Sequence, residues 1–360
     1  MRRVSSRHRG YLRPVGWSVS AVVSVAAGGC EGRFEATYEW RGRHIDFVTD
    51  AETPPCAGTA RFLDDYTAAL KQVVGEPEAR VYYRWTPSLA SLAMFCPPDH
   101  LGCSVGRTAT SLSPVHLHEI VHAVEAPFSA APAAHFLREG LAMILGDVSF
   151  GVEVEVEPLR ALAEMDAGVE SLREYGTAAH FTSFLVSRFG LEAVREAAKA
   201  AGDDAAAGEL IAAFGVDAAT LFAEYRTYPL CPMELLHVPL VECMIPPEPR
   251  DADGAWRFAG SLECAEPRVV GPHEGRVTST FAFEFLTSGA FEVELREEDP
   301  KSGTRARLTR CAPCEGGRSA AIEPGTSSVI LERGRYYVVL SQRVDAPSEY
   351  DLVIRPLVLL

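Results

Sequence analysis

The chain has 360 residues, of which 47% are hydrophobic, and a formal net charge of −15 at pH 7. So acidic a chain lacks the basic patches that phosphate backbones require, which excludes nucleic-acid binding as its main function. The length and the hydrophobic content are sufficient for two domains, each with its own core.

The first thirty residues have the composition of an export signal. Arginines without acidic residues lead into a mostly apolar run from Val15 to Ala27, which is too short for a transmembrane helix. Small residues then precede Cys30, as in a bacterial lipobox, and this pattern predicts lipidation of Cys30. Ordinary cleavage near the same place is the alternative. We therefore expect a signal segment at 1–30 and a protein that is secreted or held at the bacterial envelope, with no membrane contact besides a lipid on Cys30.

The cysteine count agrees with export. Without Cys30, eight of the nine cysteines remain, and an even number in an exported chain predicts four disulfides. Their connectivity does not follow from the sequence. Cys96 and Cys103 close a short loop and are the first pair that we expect.

The next segments predict a small sheet with one helix. Two alternating runs at 34–40 and 44–48 flank Arg-Gly-Arg and predict a β-hairpin. Apolar spacing predicts an amphipathic helix over 59–74. A strand is expected over 80–85, and a further extended run at 107–110 follows the loop that contains the two cysteines.

The sequence His-Glu-Ile-Val-His at 118–122 is the most informative motif. Two histidines four residues apart on a helix lie on one face, so His118 and His122 can reach a single metal ion. Glu119 is adjacent to that ion without binding it, which is the place of a general base for a zinc-activated water. Ser113 and Pro114 are suited to the start of this helix.

A second predicted helix, starting at Pro132, carries Glu139 among apolar residues. Glu139 can supply a third ligand and leave a fourth position open, as in catalytic zinc sites. The alternative is a helix with two unremarkable surface histidines and a solvated glutamate. The apolar residues of both segments argue against it, because a buried carboxylate without a partner is costly.

The stretches HEIVHAVE and HFLREGLAMIL resemble the gluzincin branch of zinc metallopeptidases, the peptidase MA-like group, whose pattern is HExxH followed by EGxA. The resemblance covers approximately residues 34–226. It implies an α+β, zincin-like domain in which a small N-terminal sheet packs over the HExxH helix and a helical lobe forms the other wall of a cleft. It also implies that His118, His122 and Glu139 hold one Zn²⁺, and that Glu119 passes a proton to the leaving amine.

The resemblance implies further roles around the cleft. Gly140 would allow a close helix approach, and an extended peptide would pair with the last strand near 104–110. Thermolysin-like members have an aspartate where this chain has Met143, and Asp147 is a substitute candidate. A tyrosine or histidine of the helical lobe would stabilise the oxyanion of the reaction intermediate.

Two residues are candidates for that oxyanion donor. They are Tyr175 and His180, with Tyr175 favoured, and both lie in the alanine-rich helical segment 175–225. The alternatives are that Tyr175 packs at a helix start and that His180 is a satisfied core or surface histidine.

Prolines and acidic residues accumulate over 228–253, which predicts an interdomain linker in which Cys231 and Cys243 could form a disulfide. Beyond it, apolar residues alternate with a period of two, which predicts an antiparallel β-sandwich over 254–360. The segment 331–340 resembles pre-peptidase C-terminal domains of secreted bacterial proteases. A structural disulfide is favoured at Cys311-Ala-Pro-Cys314, because no second CxxC is present.

These inferences predict a zincin-like domain at 31–227, a linker and a C-terminal sandwich. The implied function is a monomeric zinc peptidase that cleaves peptides or proteins. The absence of a GAMEN-like motif before HExxH favours an endopeptidase. The alternatives are an inactive zinc-binding scaffold and an envelope binding lipoprotein.

Overall fold

The computed structural model describes residues 34–75, 78, 80–98, 100–125, 135–146, 158, 172–201, 207–231, 233–312 and 319–357. It shows a mixed α+β protein whose buried apolar side chains form two separate clusters. The predicted signal segment with Cys30, the helix start at Pro132 and the candidate Asp147 lie outside the described residues. Within the described part of the chain, no helix has the length and apolarity needed to cross a bilayer.

The N-terminal sheet has five strands in the order β1-β2-β3-β5-β4. They are β1 (Tyr38–Arg41), β2 (Ile45–Thr49), β3 (Val81–Trp85), β4 (Gly102–Val105) and β5 (Thr108–Ser111). The antiparallel β1–β2 pair confirms the predicted hairpin. Strand β5 confirms the extended run expected at 107–110. Strand β4 was not predicted; the chain reverses at Gly106, and β4 pairs with β5 as the edge strand. Gly106 has a φ of 57°, a left-handed conformation that glycine adopts without strain, which explains the tight reversal.

Helices cover one face of this sheet and form the second lobe. They are α1 (Thr59–Val73), α2 (Leu89–Leu92), α3 (Leu117–Glu125), α4 (His135–Leu145), α5 (Leu172–Phe189), α6 (Leu191–Ala201), α7 (Ala207–Ala212), α8 (Ala218–Tyr225) and α9 (Met233–Leu236). The expected helix over 59–74 is confirmed by α1. Helix α3 contacts β3, β4, β5, α1 and α4, and α4 packs mainly on α5. The motif helix is therefore central to the N-terminal core.

Helix α3 begins at Leu117 and not at Pro114 as expected. The Ser113 hydroxyl is used in a turn instead of a helix cap. It donates to the carbonyl of Val115 (2.6 Å) and accepts from the Val115 amide (3.2 Å). Local side-chain to backbone bonds of this kind compete with capping, which explains the later start.

The C-terminal part is an antiparallel β-sandwich, as the alternating pattern predicts. Its strands are β6 (Trp256–Gly260), β7 (Val270–His273), β8 (Arg276–Phe285), β9 (Gly289–Glu297), β10 (Arg305–Arg310), β11 (Ala320–Ile322), β12 (Gly325–Leu331), β13 (Gly334–Arg343) and β14 (Tyr350–Pro356). They form two sheets, β11-β10-β13-β8-β7 and β12-β9-β14-β6. Alternate residues such as Phe283, Phe285 and Leu340 are buried between the sheets, which accounts for the period of two.

Three disulfides join described cysteines. Cys96–Cys103 confirms the first expected pair. The expected Cys231–Cys243 pair is wrong, because Cys243 is bonded to Cys311. The same bond shows that Cys311 does not close a CxxC loop. Cys231 is also disulfide-bonded.

The third bond, Cys56–Cys264, joins the segment before α1 to the sandwich across 208 residues of sequence. Beside it, Thr59 Oγ1 donates to the Gly271 carbonyl (2.9 Å) and accepts from the Gly271 amide (3.0 Å). The sandwich is thus attached to the start of α1 by a covalent bond and by hydrogen bonds between the Thr59 hydroxyl and the main chain of Gly271. A proline-rich composition does not reveal such contacts between distant segments.

Candidate metal centre

Helices α3 and α4 bring three predicted ligands together. His118 Nε2 lies 3.1 Å from Glu139 Oε2, and His122 Nε2 lies 3.2 Å from the same oxygen. The two Nε2 atoms are 3.1 Å apart. His118 and Glu139 are buried, and His122 is partly buried. These are the atoms and the residues that the sequence motif predicts as a metal-binding group.

The dimensions of this triangle suit a divalent cation. Tetrahedral ligands at about 2.0–2.1 Å from zinc lie about 3.3–3.4 Å from one another. The three observed distances are 3.1–3.2 Å, nearly equal and close to that value. Two imidazoles and one carboxylate are also a donor set that zinc prefers. The residues present therefore fit the metal that the motif implies.

Electrostatics hold Glu139 in its ionised form. Burial alone would raise the pKa of this carboxyl, but His122 and His118 outweigh that effect and hold the pKa well below its usual range. An ionised carboxylate is the form that binds a metal.

Two glycines bring the helices together, and only one of them was expected. Gly140 faces α5, since an added Cβ would lie 2.6 Å from the carbonyl oxygen of Ala178. The close approach expected of Gly140 thus exists, but toward α5 and not toward α3. Gly146 faces α3, where an added Cβ would lie 2.4 Å from the backbone nitrogen of His118. A glycine six residues after the EG pair was the available sequence signal for this contact.

Glu119 projects into the same cavity as the three predicted ligands. It is 7% exposed. Burial raises its pKa to about 7; His118 acts in the opposite direction and the nearby Glu139 adds to the rise. A carboxyl with a pKa near neutrality can both accept and return a proton at physiological pH. This is the property that the predicted general base requires.

Support around the ligands differs from the thermolysin-like pattern. Met143 is buried in α4 and has no carboxylate to offer. The Nδ1 atoms of His118 and His122 have no hydrogen-bond partner within the described part of the chain. The second oxygen of Glu139 faces His135 Nδ1 at 3.6 Å. Arg138 Nε lies 3.9 Å from the same oxygen, so His135 and Arg138 both lie near this carboxylate but outside hydrogen-bond distance.

The ligands open into a cavity of about 300 Å³. Gly102, Cys103 and Ser104 of the edge strand β4 line one side of it, and Tyr175 of α5 lines another. The rings of Tyr175 and His118 are 6.2 Å apart. The cavity thus contains the favoured oxyanion candidate and an edge strand.

His180, the other oxyanion candidate, lies elsewhere. It is 1% exposed, and its ring nitrogens bond to the Tyr225 hydroxyl (2.8 Å) and the Pro229 carbonyl (2.9 Å). Burial lowers its pKa, although the bond to Pro229 opposes that effect. His180 is a satisfied core histidine, the alternative that the sequence had left open.

An ion pair that the sequence analysis missed also lines the cavity. Arg195 Nε lies 3.4 Å from Glu125 Oε1, and the Arg195 guanidinium donates to the Val74 carbonyl at 2.6 Å. Burial raises the pKa of Glu125, and Arg195 acts in the opposite direction. Glu125 lies seven residues after His118 and three after His122, which places it on the same helix face as both histidines. This spacing was the sequence signal that could have identified Glu125 as a cavity residue.

Comparisons with known proteins concern the sandwich. By sequence, neither a known family nor a curated protein matches the chain. The sandwich is similar in structure to the pre-peptidase C-terminal domain of a collagenase from Bacillus anthracis, with 15% identity over 30% of this chain and 96% of that one and a TM-score of 0.22. It is also similar to PliG from Salmonella Typhimurium, a periplasmic inhibitor of g-type lysozyme, with 16% identity over 30% and 92% and a TM-score of 0.21. These values concern the fold alone.

Proposed function

We propose that this protein is an exported zinc-dependent peptidase of the gluzincin type. The observation that carries the proposal is the triangle of His118, His122 and Glu139 atoms at 3.1–3.2 Å, with Glu119 in the same cavity. Two histidines and one glutamate would leave one position of a bound zinc ion open, and an open position is what separates catalytic from structural zinc sites.

A zinc ion held by these three residues would act as a Lewis acid toward a water molecule and a peptide carbonyl. Glu119 would accept the proton of the attacking water and deliver it to the leaving amine. Tyr175 would donate its hydroxyl hydrogen to the oxygen on which negative charge develops. Each of these residues lines the cavity.

The position of β4 at the edge of the sheet supports the proposal that the substrate is a polypeptide. Strand β4 pairs with β5 on one side and ends the sheet on the other. An extended peptide can add to such an edge through main-chain hydrogen bonds. The cavity lies beside this strand, so a peptide bound there would place a carbonyl near Glu119.

Export is supported by the disulfides among the described residues. Cys56–Cys264, Cys96–Cys103 and Cys243–Cys311 would persist in an oxidising compartment and are unusual in the cytoplasm. We propose that the predicted signal segment directs the chain there, with a lipid on Cys30 or free secretion as the two outcomes to be distinguished by mass spectrometry.

The test compares metal content with cleavage. We expect about one zinc per chain by elemental analysis and cleavage of casein that a chelator abolishes. His118→Ala should lose most of the zinc, whereas Glu119→Gln should keep the zinc and lose cleavage. His44→Ala and Glu274→Gln, neither of which lines the cavity, are matched controls. Full cleavage by zinc-loaded Glu119→Gln would contradict the assigned base.

A second candidate is a zinc-binding scaffold without turnover. It is favoured by the absence of a hydrogen-bond partner for Nδ1 of His118 and His122 among the described residues, since active zinc sites usually orient their histidines through that atom. A wild-type protein that holds one zinc and leaves casein and unfolded protein mixtures intact would establish this alternative. Absence of zinc after refolding with the metal would exclude both candidates.

A further inference from the structure

Gly102 lies at the point where the edge strand meets the motif helix. It is buried at the start of β4, where it pairs with Ser111 of β5. A Cβ atom at this position would lie 2.7 Å from His116 Nδ1 and 3.0 Å from Glu119 Cγ. Both distances are at or below the closest approach that a real Cβ makes, so a side chain at position 102 requires a neighbour to move.

The strand has little freedom to move. Cys103 follows Gly102 directly and is bonded to Cys96, and the Leu112 amide donates to the Leu101 carbonyl at 3.0 Å. The pairing with β5 continues to Val105. Displacing the β4 backbone would therefore break several bonds at once.

The side chain of His116 is also held in place. Its Nδ1 atom lies 2.8 Å from the Ser111 hydroxyl, which in turn accepts from the Ser113 amide at 3.0 Å. Among the described residues, Glu119 has no comparable hold, because its flexible side chain ends in the cavity. An added methyl group at position 102 would contact both His116 and Glu119, and of these two side chains only that of Glu119 is free to rotate away.

We propose that Gly102 is a positioning residue whose missing side chain determines where the Glu119 carboxylate lies. The contact between Gly102 and Glu119 stands independently of the enzymatic activity, whereas its effect on turnover rests on the proposed function. Through Gly102, the edge strand β4 would set the position of Glu119. The strand on which a peptide would pair would then also position the carboxylate that moves the proton.

The first experiment measures the contact without any activity. Gly102→Ala is introduced into the wild type, into Glu119→Ala and into His116→Ala, and the melting temperatures of the metal-free proteins are compared. We expect Gly102→Ala to lower Tm by about 3–6 °C in the wild type and by a smaller amount in Glu119→Ala, where only the contact with His116 remains. Gly289→Ala is the matched control, since its Cβ would be 3.8 Å from Phe291 in the sandwich.

Each outcome of this experiment shows whether the space at Gly102 is limited by Glu119. An equal loss in the wild type and in Glu119→Ala, relief by His116→Ala alone, or no loss in the wild type would overturn the proposal. If Gly102→Ala does not fold, recovery of soluble protein in the Glu119→Ala background supports the proposal, and failure in that background contradicts it.

The second experiment measures positioning in the zinc-loaded protein. We expect Gly102→Ala to lower kcat about 10- to 100-fold while KM and the zinc content stay unchanged. The same change should have no further effect in Glu119→Gln. An unchanged kcat beside a confirmed contact would overturn the positioning role. A wild type without peptidase activity would refute the proposed function and leave the melting experiment to decide the contact.

Discussion

Gly146 and His118 touch through their backbones, because the Cα of Gly146 packs against the first turn of α3. A Cβ on Gly146 would lie 2.4 Å from the nitrogen and 2.6 Å from the Cα of His118. Neither atom belongs to a flexible side chain that could yield. The spacing between the two ligand helices therefore depends on the absence of a side chain at position 146.

Gly146→Ala should separate α3 from α4 and spread the ligand triangle. We expect a loss of about 1–3 kcal/mol in the free energy of unfolding and a zinc affinity at least about tenfold weaker. Urea titration and competition with a chelating dye measure the two effects. Gly289→Ala should change neither. An unaltered zinc affinity would show that the triangle adapts to the altered spacing.

The raised pKa of Glu119 predicts a pH dependence of stability in the metal-free protein. Burial raises the pKa to about 7 in the folded state, above its value in the unfolded chain. At pH values between these two pKa values, the folded state binds more protons than the unfolded state. The contribution of Glu119 to stability is therefore fully present at low pH and is lost as the pH rises through 7.

Glu119→Gln removes this titration. At pH 8 the metal-free variant should be more stable than the wild type by up to about 3 kcal/mol, and the difference should vanish near pH 4. Urea denaturation at several pH values in the presence of a chelator measures this. A difference that grows toward low pH would have the wrong sign for a buried carboxyl with a raised pKa.

The ion pair of Arg195 and Glu125 predicts an asymmetry between single and double variants. Arg195→Met leaves the partly buried Glu125 carboxylate without its partner and removes the bond to the Val74 carbonyl. We expect a loss of about 3–5 kcal/mol. Arg195→Met combined with Glu125→Leu should be less damaging, because no buried charge remains. Equal losses measured by urea denaturation would mean that the Glu125 carboxylate costs nothing when it is left without its partner.

The disulfides should stabilise the fold more when they close longer loops, because the entropy of loop closure rises with the logarithm of loop length. Removal of Cys56–Cys264, which spans 208 residues, should cost about 5 kcal/mol by loop entropy, whereas removal of Cys96–Cys103, which spans 7, should cost about 2.5 kcal/mol. Paired Cys→Ser variants and calorimetry test this order. A larger loss at Cys96–Cys103 would indicate that the edge strand depends on its bond for more than entropy.

Patterns within a segment made several features predictable. The hairpin, α1, the motif helix and the sandwich strands follow from apolar spacing, since a helix and a strand bury their apolar side at different periods. Two of the three candidate ligands also follow from spacing, because His118 and His122 share a helix face by geometry alone. A short loop made Cys96–Cys103 the obvious pair.

Contacts between distant segments could not be read in this way. The pairing of Cys243 with Cys311, the edge position of β4 and the burial of His180 depend on which surfaces meet after folding. Gly102 has no recognisable local pattern, because its role depends on the space that side chains of another element occupy. The start of α3 was misplaced because a turn at Ser113 competes with a helix cap.

The amino-acid sequence by itself determined the chemistry available at the centre: two imidazoles and a carboxylate that can hold a metal, and a glutamate between them that can move a proton. These depend on residue type and helical period, which are local properties. Only the tertiary structure decided that the three ligand atoms converge to 3.1–3.2 Å, that Tyr175 and not His180 shares their cavity, and that the sandwich is joined to α1. Those outcomes depend on the packing of elements far apart in the chain, which no local pattern encodes.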